Sequence, residues 1–140
     1  MARVEVDGLP EARAALAGLK AAADRHLDQV CADSAEAVAR RTRAVLPLGP
    51  GAGGHLRASV GVTRQPGMAA TVGHGGPRFR YGPWIEFGGN VGRHHSVHRT
   101  WIRGGRYLFR MLAMVKPGIE PAMHGELREA CRESGWNPRG

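Results

Sequence analysis

Cysteine, lysine, aromatic side chains and long apolar runs are all scarce in this chain of 140 residues, and each scarcity removes a class of protein. Cys31 and Cys131 stand far apart in no ligand-like spacing, so neither a disulfide framework nor a cysteine metal knuckle is expected, and two reduced, packed thiols are the default. No apolar run approaches the roughly 18 residues of a membrane span, and no apolar stretch of a secretory signal stands near Met1. No membrane partner is therefore expected, and the chain reads as one made and assembled in a cytoplasm. Eight aromatic residues leave the core to aliphatic side chains on helices and a few strands. Only two of the 20 basic residues are lysine, and this arginine skew reads mainly as codon composition.

What the chain does have is glycine, 21 residues and mostly after position 48, together with a formal charge of +8. The glycines predict turns and irregular segments in the second half. The charge predicts an acidic partner, either nucleic acid or another subunit.

Periodicity organises the rest into a single domain, residues 1–140. Residues 9–46 are helical: after Pro10 there is no proline until Pro47, and Leu16, Leu19, Ala23, Leu27, Val30, Ala35, Val38 and Val45 recur at spacings of three and four. An unbroken helix here is about 54 Å long, more than a compact domain of this size is wide, so it either breaks around positions 20–25 or projects toward a neighbour. Residues 47–55 form a glycine-proline loop. Leu56, Ala58, Val60 and Val62 then alternate with polar or small residues, which predicts a β-hairpin over 56–73 turning at Gln65-Pro66-Gly67. An aromatic box follows at 81–88, then a Gly/His-rich segment at 88–98 that lacks periodicity and is expected to be a mobile loop. Residues 100–102 are a possible short strand, and 105–134 are helical. This last region starts with a turn or two ending before Pro117 and closes with an amphipathic helix carrying Ile119, Met123, Leu127 and Cys131. The fold class expected is α+β, a long N-terminal helix and a C-terminal helix packed on a small antiparallel sheet.

Chemistry finds little to hold. Gly49, Gly51 and Gly54 match G-x-G-x-x-G, but the motif follows a helix and opens a strand, the reverse of a dinucleotide site. His94, His95 and His98, with His74 upstream, form the only histidine cluster, and Glu86 is the sole carboxylate between His74 and Lys116. That is a poor metal set in a glycine-rich segment, and a solvated interaction loop is the better reading. No nucleophile elbow, H-E-x-x-H helix or P-loop is present. No enzyme activity, metal or cofactor is therefore expected. Residues 78–110 do gather seven arginines, and Arg78, Arg80, Arg93, His94, His95, His98, Arg99 and Arg103 are the candidates for contact with DNA or an acidic partner.

Taken in order, the landmarks resemble the small tail-component family of long-tailed bacteriophages, the neck or tail-completion proteins. The long helix ending at Leu46-Pro47, then Gly53-Gly54-His55-Leu56-Arg57-Ala58-Ser59-Val60, is similar to that family's "A-P-x-x-T-G-x-L-R-x-S", with Gly53 in place of the threonine. Tyr81-Gly82-Pro83-Trp84-Ile85-Glu86-Phe87-Gly88 resembles its "Y-A-x-x-x-E-F-G" box, and Tyr107-Leu108-Phe109-Arg110 its "F-L-x-P-A" segment without the proline. The resemblance implies a structural virion protein at the neck or top of the tail. Copies would form a homo-oligomeric ring, a hexamer, between head-closure and tail-terminator or tail-tube proteins, with non-specific contact to phage DNA. It brings no catalytic residues. Leu56, Arg57, Tyr81, Trp84, Glu86, Phe87 and Gly88 become the interface or structural candidates, with Glu86 placed to accept backbone amides or to pair with an arginine such as Arg57, within the chain or across subunits. The alternative is a basic nucleic-acid-binding protein using residues 78–110.

Overall fold

The structure is a computed structural model describing residues 8–48, 55–67 and 69–136. Most of the glycine-proline loop expected at 47–55, with the G-x-G-x-x-G match and the Gly53-Gly54 landmark, lies outside the described residues, as does Met68 in the hairpin turn.

The fold is α+β. Helix α1 spans Leu9–Val45 without interruption, so the break expected around positions 20–25 does not occur. Good helix formers fill that stretch, and Pro10 sits in the first turn, where its missing N–H costs nothing. The helix stops because Pro47 forces Leu46 out of the helical region, to φ −62° and ψ 134°. At 37 residues it is roughly 55 Å long.

Helix α2, His55–Ala58, is one turn. Strand β1, Gly61–Gln65, pairs antiparallel with β2, Ala69–Gly73, in register Val62 to Val72. The hairpin expected from position 56 therefore begins at Gly61. Leu56 and Val60 are both buried while Ala58 is exposed, the i, i+4 signature of a helical turn, and a short alternating run satisfies both periods. Helix α3, Gly82–Phe87, carries the aromatic box and ends at Gly88.

The segment expected to be a mobile loop at 88–98 is instead a second hairpin. Strand β3, Gly89–Val91, pairs with β4, Val97–Arg99, across a 3-10 turn at Arg93–His95. Backbone pairing and left-handed turn residues hold it, which an apolar-periodicity reading cannot detect. The possible strand at 100–102 is absent; Ile102 donates its amide to Phe87 O and accepts from the amide of Gly105, a turn and not a strand pairing. The strands thus form two separate ribbons and not one sheet.

Helix α4, Leu108–Glu133, runs straight through Pro117 and Pro121, so the stop expected before Pro117 is also corrected. Each proline removes one i→i−4 bond, but both prolines and Ala113 are exposed, so the carbonyls left without donors, at 113 and 117, can turn to water. Packing on α1 supplies the compensation.

α4 lies antiparallel along α1: its last turns reach Arg25 and His26, where Arg25 binds Glu133 at 2.7 Å. The core sits near the other end, where Ala39, Leu46, Leu56 and Val60 meet Val62 and Val72 of the first ribbon, with Phe79, Ile85 and Tyr107 around them. It is thin. The largest fully buried side chains are Leu46, Glu86 and Thr42, and no aromatic is among them. Neither cysteine forms a disulfide, and no described helix is long and apolar enough to cross a membrane.

Candidate functional site

The most organised polar site is built around Glu86. Helix α3 is short because Pro83 opens it and Gly88 closes it at φ 92°. A Cβ on Gly88 would lie 2.8 Å from Arg99 O, so the return of β4 past the box requires glycine there. This turn delivers the Glu86 carboxylate, only 2% exposed, to the start of α4.

Helix α4 has no side-chain cap of its own, since its N-cap residue is Tyr107. Glu86 provides the cap from outside: the amides of Tyr107 and Phe109 donate to Oε1 at 3.1 and 3.4 Å, and that of Leu108 donates to Oε2 at 3.2 Å. Three orphan amides of a helix N-terminus are satisfied by one carboxylate, with the helix dipole favouring its charge. His74 Nε2 donates to Oε2 at 3.2 Å. Burial pushes the Glu86 carboxyl up, but the His74 bond and the three amides outweigh it and hold the group down at about 2. The expected amide bonds are therefore present and lie within one chain.

The expected Arg57 pairing is not. Arg57 donates to Leu46 O at 2.6 Å, closing the end of α1, and its Nε is buried without a partner among the described residues. Arg106, not singled out in the sequence, bridges Glu86 O at 3.4 Å and Thr100 O. His74, Gly105 and Tyr107 were also missed as parts of this site. A Cβ on Gly105, at φ 68°, would meet Glu86 Oε1 and lie 3.0 Å from Phe109 Cδ2. One signal was legible: a helix starting at position 108 with no Ser, Thr, Asp or Asn before it needs a cap from elsewhere.

The rest of the box builds a surface. Phe87 stacks on Trp101, centroids 5.6 Å apart and planes 28° apart, and touches Phe109 at 5.4 Å. Trp101 is 62% exposed and Phe109 47%. Trp84 is half-buried, donates its indole N–H to Gly89 O at 2.9 Å, and shares Arg99 with Tyr107, the guanidinium 5.6 Å from one ring and 6.0 Å from the other. Tyr81 is exposed, while Leu56 and Gly88 are buried.

The basic candidates separate into two groups. Arg99 is structural, held by Trp84 and Tyr107. His98 is exposed and bonded to Asn90 at 2.6 Å. Arg93, His94 and His95 form the exposed tip of the β3–β4 hairpin, with His94 and His95 both at positive φ. Arg78, in a 3-10 turn at Pro77–Phe79, and Arg80 and Arg103, in other turns, are exposed. Among the described residues no three His, Cys, Asp or Glu side chains come together in a group that could hold a metal.

A second polar cluster joins the far ends of α1 and α4. His26 Nδ1 meets Glu126 Oε2 at 2.6 Å and Nε2 meets Glu133 Oε2 at 2.8 Å. The bonds to Glu126 and then Glu133 raise the His26 pKa, and the same imidazole lowers that of Glu133. Beyond this clasp, residues 9–21 of α1 are exposed apart from the half-buried Leu19, with Leu9 and Leu16 each about half exposed.

No family model, curated protein or solved structure matches this chain.

Proposed function

We propose that the chain is a structural virion subunit of a long-tailed phage, one copy of a ring at the neck or top of the tail, acting through its surfaces and not through catalysis. The observation that carries this reading is the amount of surface left without a partner. The chain exposes 10267 Å², against roughly 7,000 Å² for a compact monomer of its mass. A stable interface takes about 800 Å² from each partner, so the surplus is enough for the two contacts every ring member makes. Apolar area is uncovered on the projecting start of α1, at the Phe87–Trp101–Phe109 patch, and at Leu48, Val97, Met114 and Trp136. The order of the landmarks in the sequence, with Glu86 at the centre of the aromatic box, is what supports a position between head and tail.

The test is genetic and visual. Deleting the gene from its phage should yield DNA-filled heads and separate tails, and a tagged copy should label the head–tail joint. Infectious particles of normal shape that lack the chain would overturn the proposal.

A second reading, a nucleic-acid-binding protein, is favoured by one feature: the Arg93-His94-His95 hairpin tip lies in a stretch with no carboxylate between Glu86 and Glu120. Salt-dependent retention of the purified protein on duplex DNA, lost on replacing Arg93 and Arg103, is its signature.

A further inference from the structure

We propose that the projecting start of α1 docks into an apolar groove on a second copy of this chain, a head-to-tail contact that rests on the ring reading and gives it a mechanism. On the arm, Leu9, Ala12, Leu16, Leu19 and Ala23 recur at alternating spacings of three and four, the seam of a helix that packs against a neighbour. The seam is continuous with the face that α4 covers further along, where Val30 is buried and His26 is clasped by Glu126 and Glu133. α4 ends at Glu133, and the seam runs on uncovered.

The groove lies between α1, β2 and α4, with a volume of about 280 Å³. Its walls are predominantly apolar and small: Ala35, Val38, Ala69 and Ala70, with Leu112 and Ile119 on the α4 side. The leucines of the arm seam act as ridges, and the small side chains of Ala35, Ala69 and Ala70 leave room for them between the bulkier Val38, Val72, Leu112 and Ile119. A chain cannot satisfy its own groove. Leu16 and Ala35 stand on the same unbroken helix, roughly 28 Å apart along its axis, so the arm points away from the groove permanently. Only another copy can supply the arm. Because the two surfaces differ, each copy receives one arm and gives one, a heterologous contact that propagates from copy to copy and forms a ring where the rotation between copies closes. The uncovered surface described above exceeds what two such contacts consume.

The experiment uses the purified full chain and two charge substitutions at exposed positions, Leu16→Glu on the arm and Leu112→Glu at the groove. These residues are 54% and 42% exposed, so folding is expected to survive, which far-ultraviolet circular dichroism and a thermal melt would check. Leu9→Glu, with an acid at the helix N-terminus where the dipole favours it, is an independent arm variant. By light scattering after size exclusion, the unaltered chain should associate, and each variant alone should run at the 15.0 kDa of one subunit. An equimolar mixture of Leu16→Glu and Leu112→Glu should form a two-subunit species and nothing larger, since one intact arm then meets one intact groove.

Association by Leu112→Glu alone while the arm variants stay monomeric would show arms pairing with arms, and would overturn the groove. Association of all variants like the unaltered chain would overturn the contact and leave the ring to another surface. An unaltered chain that stays monomeric at its highest soluble concentration would also overturn the contact. The neck reading is judged separately, by presence at the head–tail joint: a chain that associates through arm and groove but is missing from particles would refute the neck reading and leave this contact standing.

Discussion

Two histidine–carboxylate joints tie helix α4 into the molecule, and they work in opposite ways. At its start, Glu86 is buried and binds His74 and three backbone amides. At its end, His26 is clasped by Glu126 and Glu133, both roughly half exposed. The first joint takes a charge out of water and must satisfy every lone pair it brings; the second stays in solvent and is screened. A carboxylate built into the interior is therefore structural, whereas the outer clasp is a trim on helices that already pack.

The sharpest way to break the comparison is to remove Glu86. Glu86→Ala should cost about 3–5 kcal/mol, because it strands His74 and three amides at once. Urea unfolding of the isolated chain measures this, and a loss under 1 kcal/mol would mean the joint is no stronger than a surface pair. Glu86→Gln keeps the shape and should lose less, on the order of 2 kcal/mol, since one amide oxygen replaces the charged acceptors. Because these partners lie within one chain, the loss should appear in the monomer and not only in assembly.

Gly105→Ala comes next. It forces a Cβ against Glu86 and Phe109 at a left-handed backbone position, and should cost about 1–3 kcal/mol by the same unfolding measurement. Trp84→Ala and Phe87→Ala should fall in a similar range, about 1–3 kcal/mol, and not the larger loss of a fully enclosed aromatic, because both rings are only half-buried. Trp101→Ala should leave the melt nearly unchanged; a large loss would mean its stacking on Phe87 belongs to the core.

The pH dependence separates the joints most directly. Glu86 has its pKa lowered from 4.5 to about 2, so its contribution is whole above pH 4.5 and is lost as the pH falls toward 2. Across that window the loss should be on the order of 3 kcal/mol. The His26 pKa is raised above 6.5, so the clasp contributes fully below pH 6.5 and is lost as the pH rises through the raised value. Its effect should be the smallest of the set, should shrink in high salt, and should vanish in His26→Gln. Glu86→Gln should instead remove the acid limb and leave the alkaline one. Interchanged limbs in the two variants would show that the joints have been assigned to the wrong groups.

Residues that act on near neighbours were legible in the sequence. The 3.6-residue period of α1, its stop at Leu46-Pro47 and the turn at Pro66-Gly67 are all local, because backbone dihedrals and i, i+4 contacts decide them. The importance of Glu86 could be suspected, since a lone carboxylate among aromatics and glycines is conspicuous. Its partners could not. His74, Gly105 and the amides at 107–109 lie 12 to 23 positions away, and only the meeting of α3 with the start of α4 brings them within hydrogen-bond reach.

Sequence alone determined that the chain is α+β, that its long helix is amphipathic, and that its basic charge gathers in the second half. Tertiary structure decided the rest. It decided that α1 stays whole past the point where its cover ends, because α4 is long enough to pack only its later turns. It decided that two prolines survive inside α4, because packing along one face outweighs bonds lost on the other. It also decided that the glycine-histidine segment closes into a hairpin, because backbone pairing needs no apolar period to announce it. Each of those outcomes depends on which surfaces meet, and such meetings are settled by the whole chain and not by any stretch of it.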